Sequence, residues 1–158
     1  MLSEICLSIN DLYDPILPEA FKKQAEKYLN KGLPNTYEIS IIESDSRGIG
    51  FIGYTDITES TRYLIAFYLH SAYQRKGIGE QILNTLVNLL ETDNYEEIVL
   101  LVHKKATWAI NFYLKNDFEI LGKSKEKIQD YKNGILNKYY IRDTILMGKR
   151  LRAQNSDT

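Results

Sequence analysis

The chain has 158 residues, a net charge of −1 and 26% charged residues, the profile of a single globular domain. The near-neutral balance argues against a dedicated nucleic-acid binder, which carries a strong basic excess. The single cysteine, Cys6, excludes an intramolecular disulfide, reads as a small buried apolar residue and fits a cytoplasmic setting.

Met1-Leu2-Ser3-Glu4-Ile5 lacks the basic flank and apolar core of a signal peptide. No apolar run is long enough for a bilayer-spanning helix, so no membrane contact is expected. A short strand is expected at Ile5 to Ser8. Ala20, Phe21, Ala25, Tyr28 and Leu29 recur at helical spacing, with Pro18 before and Gly32 after, which predicts a helix over 17–29. Tyr37 to Ile41 alternates as a strand. Asp45 to Gly48 is a turn into a second strand, Ile49 to Ile57. Tyr63 to Leu69 is a nearly continuous apolar run, as expected of a strand covered on both faces. From Gly77 to Glu91 the period becomes helical, with Ile78, Ile82, Leu86, Leu89 and Leu90 on one stripe. Ile98 to Val102 is another buried strand, so the helix predicts a right-handed parallel crossover. Thr107 to Lys115 is a second helix with Thr107 as N-cap. Phe118 to Leu121 is a strand, the lysine-rich stretch Lys123 to Asn137 a long exposed turn, and Tyr139 to Met147 the last strand. The fold class is a mixed α/β sheet. One domain is expected over residues 1–150, with a polar tail over 151–158.

Between the Tyr63–Leu69 strand and the following helix lies Gln74-Arg75-Lys76-Gly77-Ile78-Gly79. The first amides of a helix have no intrahelical acceptor, and the helix dipole favours an anion there. Gly77 and Gly79 let a phosphate approach the backbone. Arg75 and Lys76 add positive charge. The residues describe a pyrophosphate cradle, weighed against a glycine-softened helix start with a solvated basic pair. Gly48, Gly50 and Gly53 match the spacing of a dinucleotide fingerprint, but strand continues after them where that motif needs a helix.

Phe67-Tyr68-Leu69-His70-Ser71-Ala72-Tyr73-Gln74-Arg75-Lys76-Gly77-Ile78-Gly79 resembles the coenzyme A signature of the GNAT N-acetyltransferases, a strand end followed by Gln/Arg-x-x-Gly-x-Gly/Ala. Ala109-Ile110-Asn111-Phe112-Tyr113-Leu114-Lys115-Asn116-Asp117-Phe118 is similar to that family's second signature, Ala-x-x-Phe-Tyr-x-x-x-Gly-Phe. The resemblance covers roughly residues 37–150. It implies the GNAT-like fold and acetyl-CoA as cosubstrate, with no metal. It implies a pyrophosphate on the amides of Arg75, Lys76, Gly77, Ile78, Gly79 and Glu80, with Gln74 opening the motif. It implies a pantetheine arm paired with the backbone of Phe67, Tyr68 and Leu69, and Tyr113 near the sulfur. Two residues depart from the pattern. Ala106 stands where the family often has Asn, and Asp117 stands for the usual Gly.

Acetyl transfer to an amine needs a general acid for the departing thiol. Tyr113 is the candidate, since a phenol's pKa of about 10 is close to that of an alkyl thiol. A backbone amide near the end of the 63–69 strand is the candidate oxyanion donor. For the base, the family's position is Leu101, which cannot accept a proton. His103, two residues on, and Glu43 are the candidates. Tyr139 and Tyr140 resemble the Tyr-Tyr hairpin that grips peptide substrates in some members, against the reading of a tyrosine-rich edge strand. The acceptor class is a primary amine of a small molecule or peptide. Pairing through the last hairpin would make a homodimer. The alternative function is a non-catalytic coenzyme A-binding module of the same fold.

Overall fold

Alternating stretches become strands β1 (Glu38–Ser44) and β2 (Arg47–Asp56), joined by a tight turn in which Asp45 and Ser46 take left-handed φ values of 51° and 64°. The computed structural model describes residues 37–152. The expected strand at 5–8, Cys6, the helix at 17–29 and the tail from 153 lie outside the described residues. β3 (Thr61–Leu69), β4 (Glu97–His103), β5 (Glu119–Gly122) and β6 (Thr144–Arg150) complete a six-stranded mixed sheet of order β1-β2-β3-β4-β6-β5. The glycines of β2 serve the sheet. A Cβ on Gly50 would collide with the backbone carbonyl of Tyr68 in β3.

Helices α1 (Ile78–Thr92) and α2 (Thr107–Lys115) flank the sheet. α1 makes the crossover between the parallel strands β3 and β4. Its buried stripe is Leu83, Leu86, Val87 and Leu90, packed against Ile98, Leu100 and Val102 of β4 and Met147 of β6. Leu89, expected on that stripe, is 59% exposed. The 83-86-87-90 set has the i, i+3, i+4, i+7 spacing that one helix face requires, and Leu89 falls off it. The N-cap of α2 is Ala106 rather than Thr107, without a side-chain bond. Ala106 is wholly buried beneath the helix start.

The second face of the sheet is covered by the stretch expected to be an exposed turn. Residues 124–140 fold into α3 (Lys125–Asp130) and two 3-10 turns, Tyr131–Gly134 and Asn137–Tyr139. Ser124 caps α3 by accepting from the Lys127 amide at 3.2 Å. Ile128 and Leu136 are completely buried against Tyr63, Val99 and Leu146. Tyr131 donates to Glu97 Oε1 at 2.6 Å, and Lys132 Nζ lies 3.9 Å from Glu97. Burial, with the Glu97 bond second, raises the Tyr131 hydroxyl pKa well above the usual tyrosine range. The segment is therefore a strap, and Tyr139 and Tyr140 belong to it rather than to the last strand, which begins at Thr144. β6 lies inside the described sheet and the short β5 forms its edge.

At one end of the β3–β4 pair a polar clamp holds the strands together. Arg62 lies between the rings of Tyr54 (4.2 Å) and Tyr95 (4.8 Å). It donates to Asp56 Oδ1 at 2.9 Å and to the Tyr95 hydroxyl at 3.0 Å, and that hydroxyl donates to Asp56 Oδ2 at 2.6 Å. β2, β3 and the turn before β4 are thereby tied at the end away from the glycine loop.

Candidate active site

The parallel register of β3 and β4 runs only from Thr61–Glu97 to Leu64–Leu100. At that point β3 carries a bulge. Gly53 of β2 faces Ala66 and Tyr54 faces Leu64, so Ile65 has no Cα partner there. A bulge bends its strand and increases the local twist. Beyond it Ile65–Leu69 and Leu101–His103 part and leave a fork. Sequence reasoning missed this bulge. Gly53 in the middle of β2 was its only signal.

Which backbone groups face the fork follows from the ladder. The His70 amide donates to the Ile49 carbonyl at 2.7 Å. Hydrogen-bonded pairs alternate along an antiparallel ladder. Tyr68 and Ala66 therefore also turn their N–H and C=O toward β2, opposite Phe51 and Gly53. Phe67 and Leu69 turn theirs toward the fork. Of the three residues expected to pair with a pantetheine arm, Phe67 and Leu69 present backbone groups to the fork. Tyr68 is committed to β2, and its buried side chain packs near Phe51 at 6.0 Å between centroids.

The glycine loop follows directly. Gly77 is the N-cap of α1 with φ 77°, and among the described residues a Cβ there would meet nothing within 4 Å. The first backbone bond of the helix runs from the Gln81 amide to the Gly77 carbonyl at 3.2 Å, so the amides of Ile78, Gly79 and Glu80 precede it without intrahelical acceptors. The left-handed turn, the open space beside it and three converging amides form a cradle that a pyrophosphate fits. Arg75, itself at φ 60°, and Lys76 stand exposed at its rim.

α2 leans on this loop. The Phe112 ring lies 3.5 Å from where a Gly79 Cβ would stand and meets Phe67 edge-on at 6.1 Å. Tyr113 is half-buried between Phe112 (5.3 Å) and Phe118 (5.2 Å). The turn behind it is closed by the Phe118 amide on the Tyr113 carbonyl at 3.0 Å, with Asp117 at φ 67° in the family's glycine position. Loop and fork thus share one end of the sheet, and Phe112, the neighbour of Tyr113, packs against both on the helical face.

The other candidates lie elsewhere. His103 ends β4 on the opposite face, shared by alternation with Leu101, and is 6% exposed. Its Nδ1 accepts from the Lys105 amide at 3.1 Å. Burial pushes its pKa below the usual histidine value; Lys105 and Lys104 reinforce this and Asp143 opposes it. Glu43 is exposed on β1, separated from β3 by β2. Tyr139 stacks on Tyr63 at 4.5 Å on the strap face, and Tyr140 is half-buried beside it. A groove of about 710 Å³ lined by Asn88, Asp117, Lys149 and Arg152 lies at the far end of α1, away from the loop.

Because His103 has a folded-state pKa below the unfolded value of about 6.5, the unfolded chain binds the extra proton between the two values. Stability is therefore full above about pH 6.5 and falls as pH drops through that window. Thermal melts between neutral and mildly acid pH should show the fall. His103→Asn, whose side-chain oxygen can still accept from Lys105, should flatten it.

Among the described residues no helix is long and apolar enough to cross a membrane. No curated protein matches the chain in sequence. Solved structures share its fold. The PaiA N-acetyltransferase of Thermoplasma acidophilum, in complex with coenzyme A, aligns with a TM-score of 0.72 at 21% identity, covering 94% of this chain and 89% of that one. A GNAT family acetyltransferase of Elizabethkingia anophelis with acetyl-CoA bound gives 0.63 at 21% identity over 84% and 85%. The ribosomal-protein-S18-alanine N-acetyltransferase of Escherichia coli gives 0.59 at 16% identity over 90% and 84%. The model of the acetyltransferase (GNAT) family matches residues 6–118, most of the chain, including both the glycine loop and Tyr113, and the chain belongs to that family.

Proposed function

We propose that the chain transfers the acetyl group of acetyl-CoA to a primary amine of a small molecule or peptide, by direct attack in a ternary complex. The observation that carries this is the fork. It presents backbone groups of Phe67 and Leu69 beside the amide cradle at Gly77, with Tyr113 on the adjoining helix. Acetyl-CoA, when bound, supplies the activated acetyl thioester. The amides of Ile78, Gly79 and Glu80 hold its pyrophosphate, and Arg75 and Lys76 add charge from the rim. A backbone amide near the end of β3 donates to the developing oxyanion. Tyr113 holds the proton for the departing thiolate.

The fork joins the two faces of the sheet. Tyr113 stands on the helical face, so the acceptor amine enters from the strap face, where Tyr139, Tyr140, Leu101 and His103 lie. His103 has its Nδ1 engaged with a backbone amide, so protonation there costs that bond. We assign it the role of fixing the Lys104–Lys105 turn rather than that of base. Glu43 is two strand spacings from β3, about 10 Å, and reaches an acceptor at the fork only through water.

A second reading, a non-catalytic coenzyme A-binding module, is favoured by the apolar Leu101 and the wholly buried Ala106. A thiol-release assay with acetyl-CoA over a panel of small amines and peptides decides between them. Turnover on at least one acceptor is expected. Thermal stabilisation by coenzyme A without turnover on any acceptor would establish the module instead.

A further inference from the structure

The segment between β3 and α1 is bonded to itself in a way that the signature motif does not reveal. The Gln74 side-chain amide turns back and donates to the Leu69 carbonyl at 2.7 Å, in a half-buried position. The Tyr73 amide donates to the His70 carbonyl at 2.8 Å and the Gln74 amide to the Ser71 carbonyl at 3.3 Å. His70 Nδ1 accepts from the Ala72 amide at 3.2 Å. Only after this knot does the backbone turn left-handed, at Arg75 and Gly77, to form the cradle.

Leu69 is one of the two residues whose backbone faces the fork, so among the described residues its carbonyl is an acceptor with no strand opposite it. The Gln74 amide stands where a neighbouring strand would donate. We propose that Gln74 is a positioning residue that latches the phosphate loop to the end of β3, and that it is not itself a ligand of the pyrophosphate. The proposal rests on the acetyl-CoA reading of the site and refines it in two ways. The cradle is formed before a ligand arrives, so binding does not have to order it. The Leu69 carbonyl is taken, so a pantetheine arm pairs with the Phe67 N–H, the Phe67 C=O and the Leu69 N–H. Arg, the other residue allowed at the head of the motif, also carries donors for that carbonyl.

The test compares Gln74→Met, which keeps the length and loses the donor, with Gln74→Arg, which keeps a donor. Hydrogen exchange of the amides from Tyr73 to Lys76 is measured without any cofactor, and coenzyme A affinity by calorimetry. In Gln74→Met these amides should exchange about tenfold faster than in the wild type, and coenzyme A should bind about tenfold more weakly. Gln74→Arg should keep wild-type exchange. Unchanged exchange in ligand-free Gln74→Met overturns the latch, even where affinity falls, because a direct phosphate ligand has that signature. Exchange in Gln74→Arg as fast as in Gln74→Met overturns it as well. Wild-type protein that fails to bind coenzyme A, with exchange still accelerated in Gln74→Met, refutes the coenzyme A reading and upholds the latch.

Discussion

Replacing Tyr113 by Phe lowers turnover roughly a hundredfold or more and leaves the dissociation constant of coenzyme A within about twofold. The ring of Tyr113 packs between Phe112 and Phe118, and the substitution keeps that packing. Phe112, its neighbour, still covers Gly79 and meets Phe67, so the cradle and the fork stay in place. What is removed is one hydroxyl, and with it the proton that the proposed mechanism gives to the leaving thiolate. A thiolate expelled unprotonated recaptures the acetyl group more readily, so the loss falls on the chemical step. Steady-state kinetics with saturating amine, together with calorimetric titration of coenzyme A, separate the two quantities. An unchanged rate would remove Tyr113 from the mechanism. A loss confined to cofactor affinity would make it a packing residue.

The strand, turn and helix start of the proposed donor half were legible in the sequence because their arrangement is local. A strand, a glycine-bearing turn and a helix start are consecutive in the chain, and their order alone predicts amides converging on an anion. Only the resemblance singles out Tyr113, since its neighbours Phe112 and Phe118 make it look like any packed aromatic. The proposed acceptor half depends on pairings remote in sequence. Ile128 and Leu136 are isolated apolar residues in a lysine-rich stretch, and nothing local shows that both are wholly buried against β4 and β6. The strap was therefore read as a solvated turn. The bulge at Ile65 was hidden because a continuous apolar run has no alternation for an extra residue to interrupt. The latch from Gln74 to Leu69 was hidden for a different reason. The motif marks Gln74 as part of the loop, and only the geometry shows that its side-chain amide donates to the end of the strand.

Gly77→Val should weaken coenzyme A binding at least about tenfold, equivalent to ~1.4 kcal/mol, while Gly79→Ala should change it little. The two glycines look interchangeable in the motif but answer to different constraints. Gly77 sits at φ 77° with nothing among the described residues within 4 Å of its Cβ position, so the backbone and not packing demands glycine there. A β-branched residue is strained in that region, and relaxing the strain rotates the peptide that aims the first helical amides. Any Cβ that remains also projects into the space a pyrophosphate would fill. Gly79 has an ordinary helical backbone, and a Cβ there makes normal contact with the Phe112 ring at 3.5 Å and the Leu69 side chain at 3.7 Å. Gly77→Asn separates the two effects, because asparagine adds a Cβ yet tolerates left-handed φ better than other residues that carry one. It should fall between wild type and Gly77→Val in titrations with coenzyme A. Equal losses in Gly77→Asn and Gly77→Val would show that the space beside the turn, rather than the turn itself, is what the anion uses.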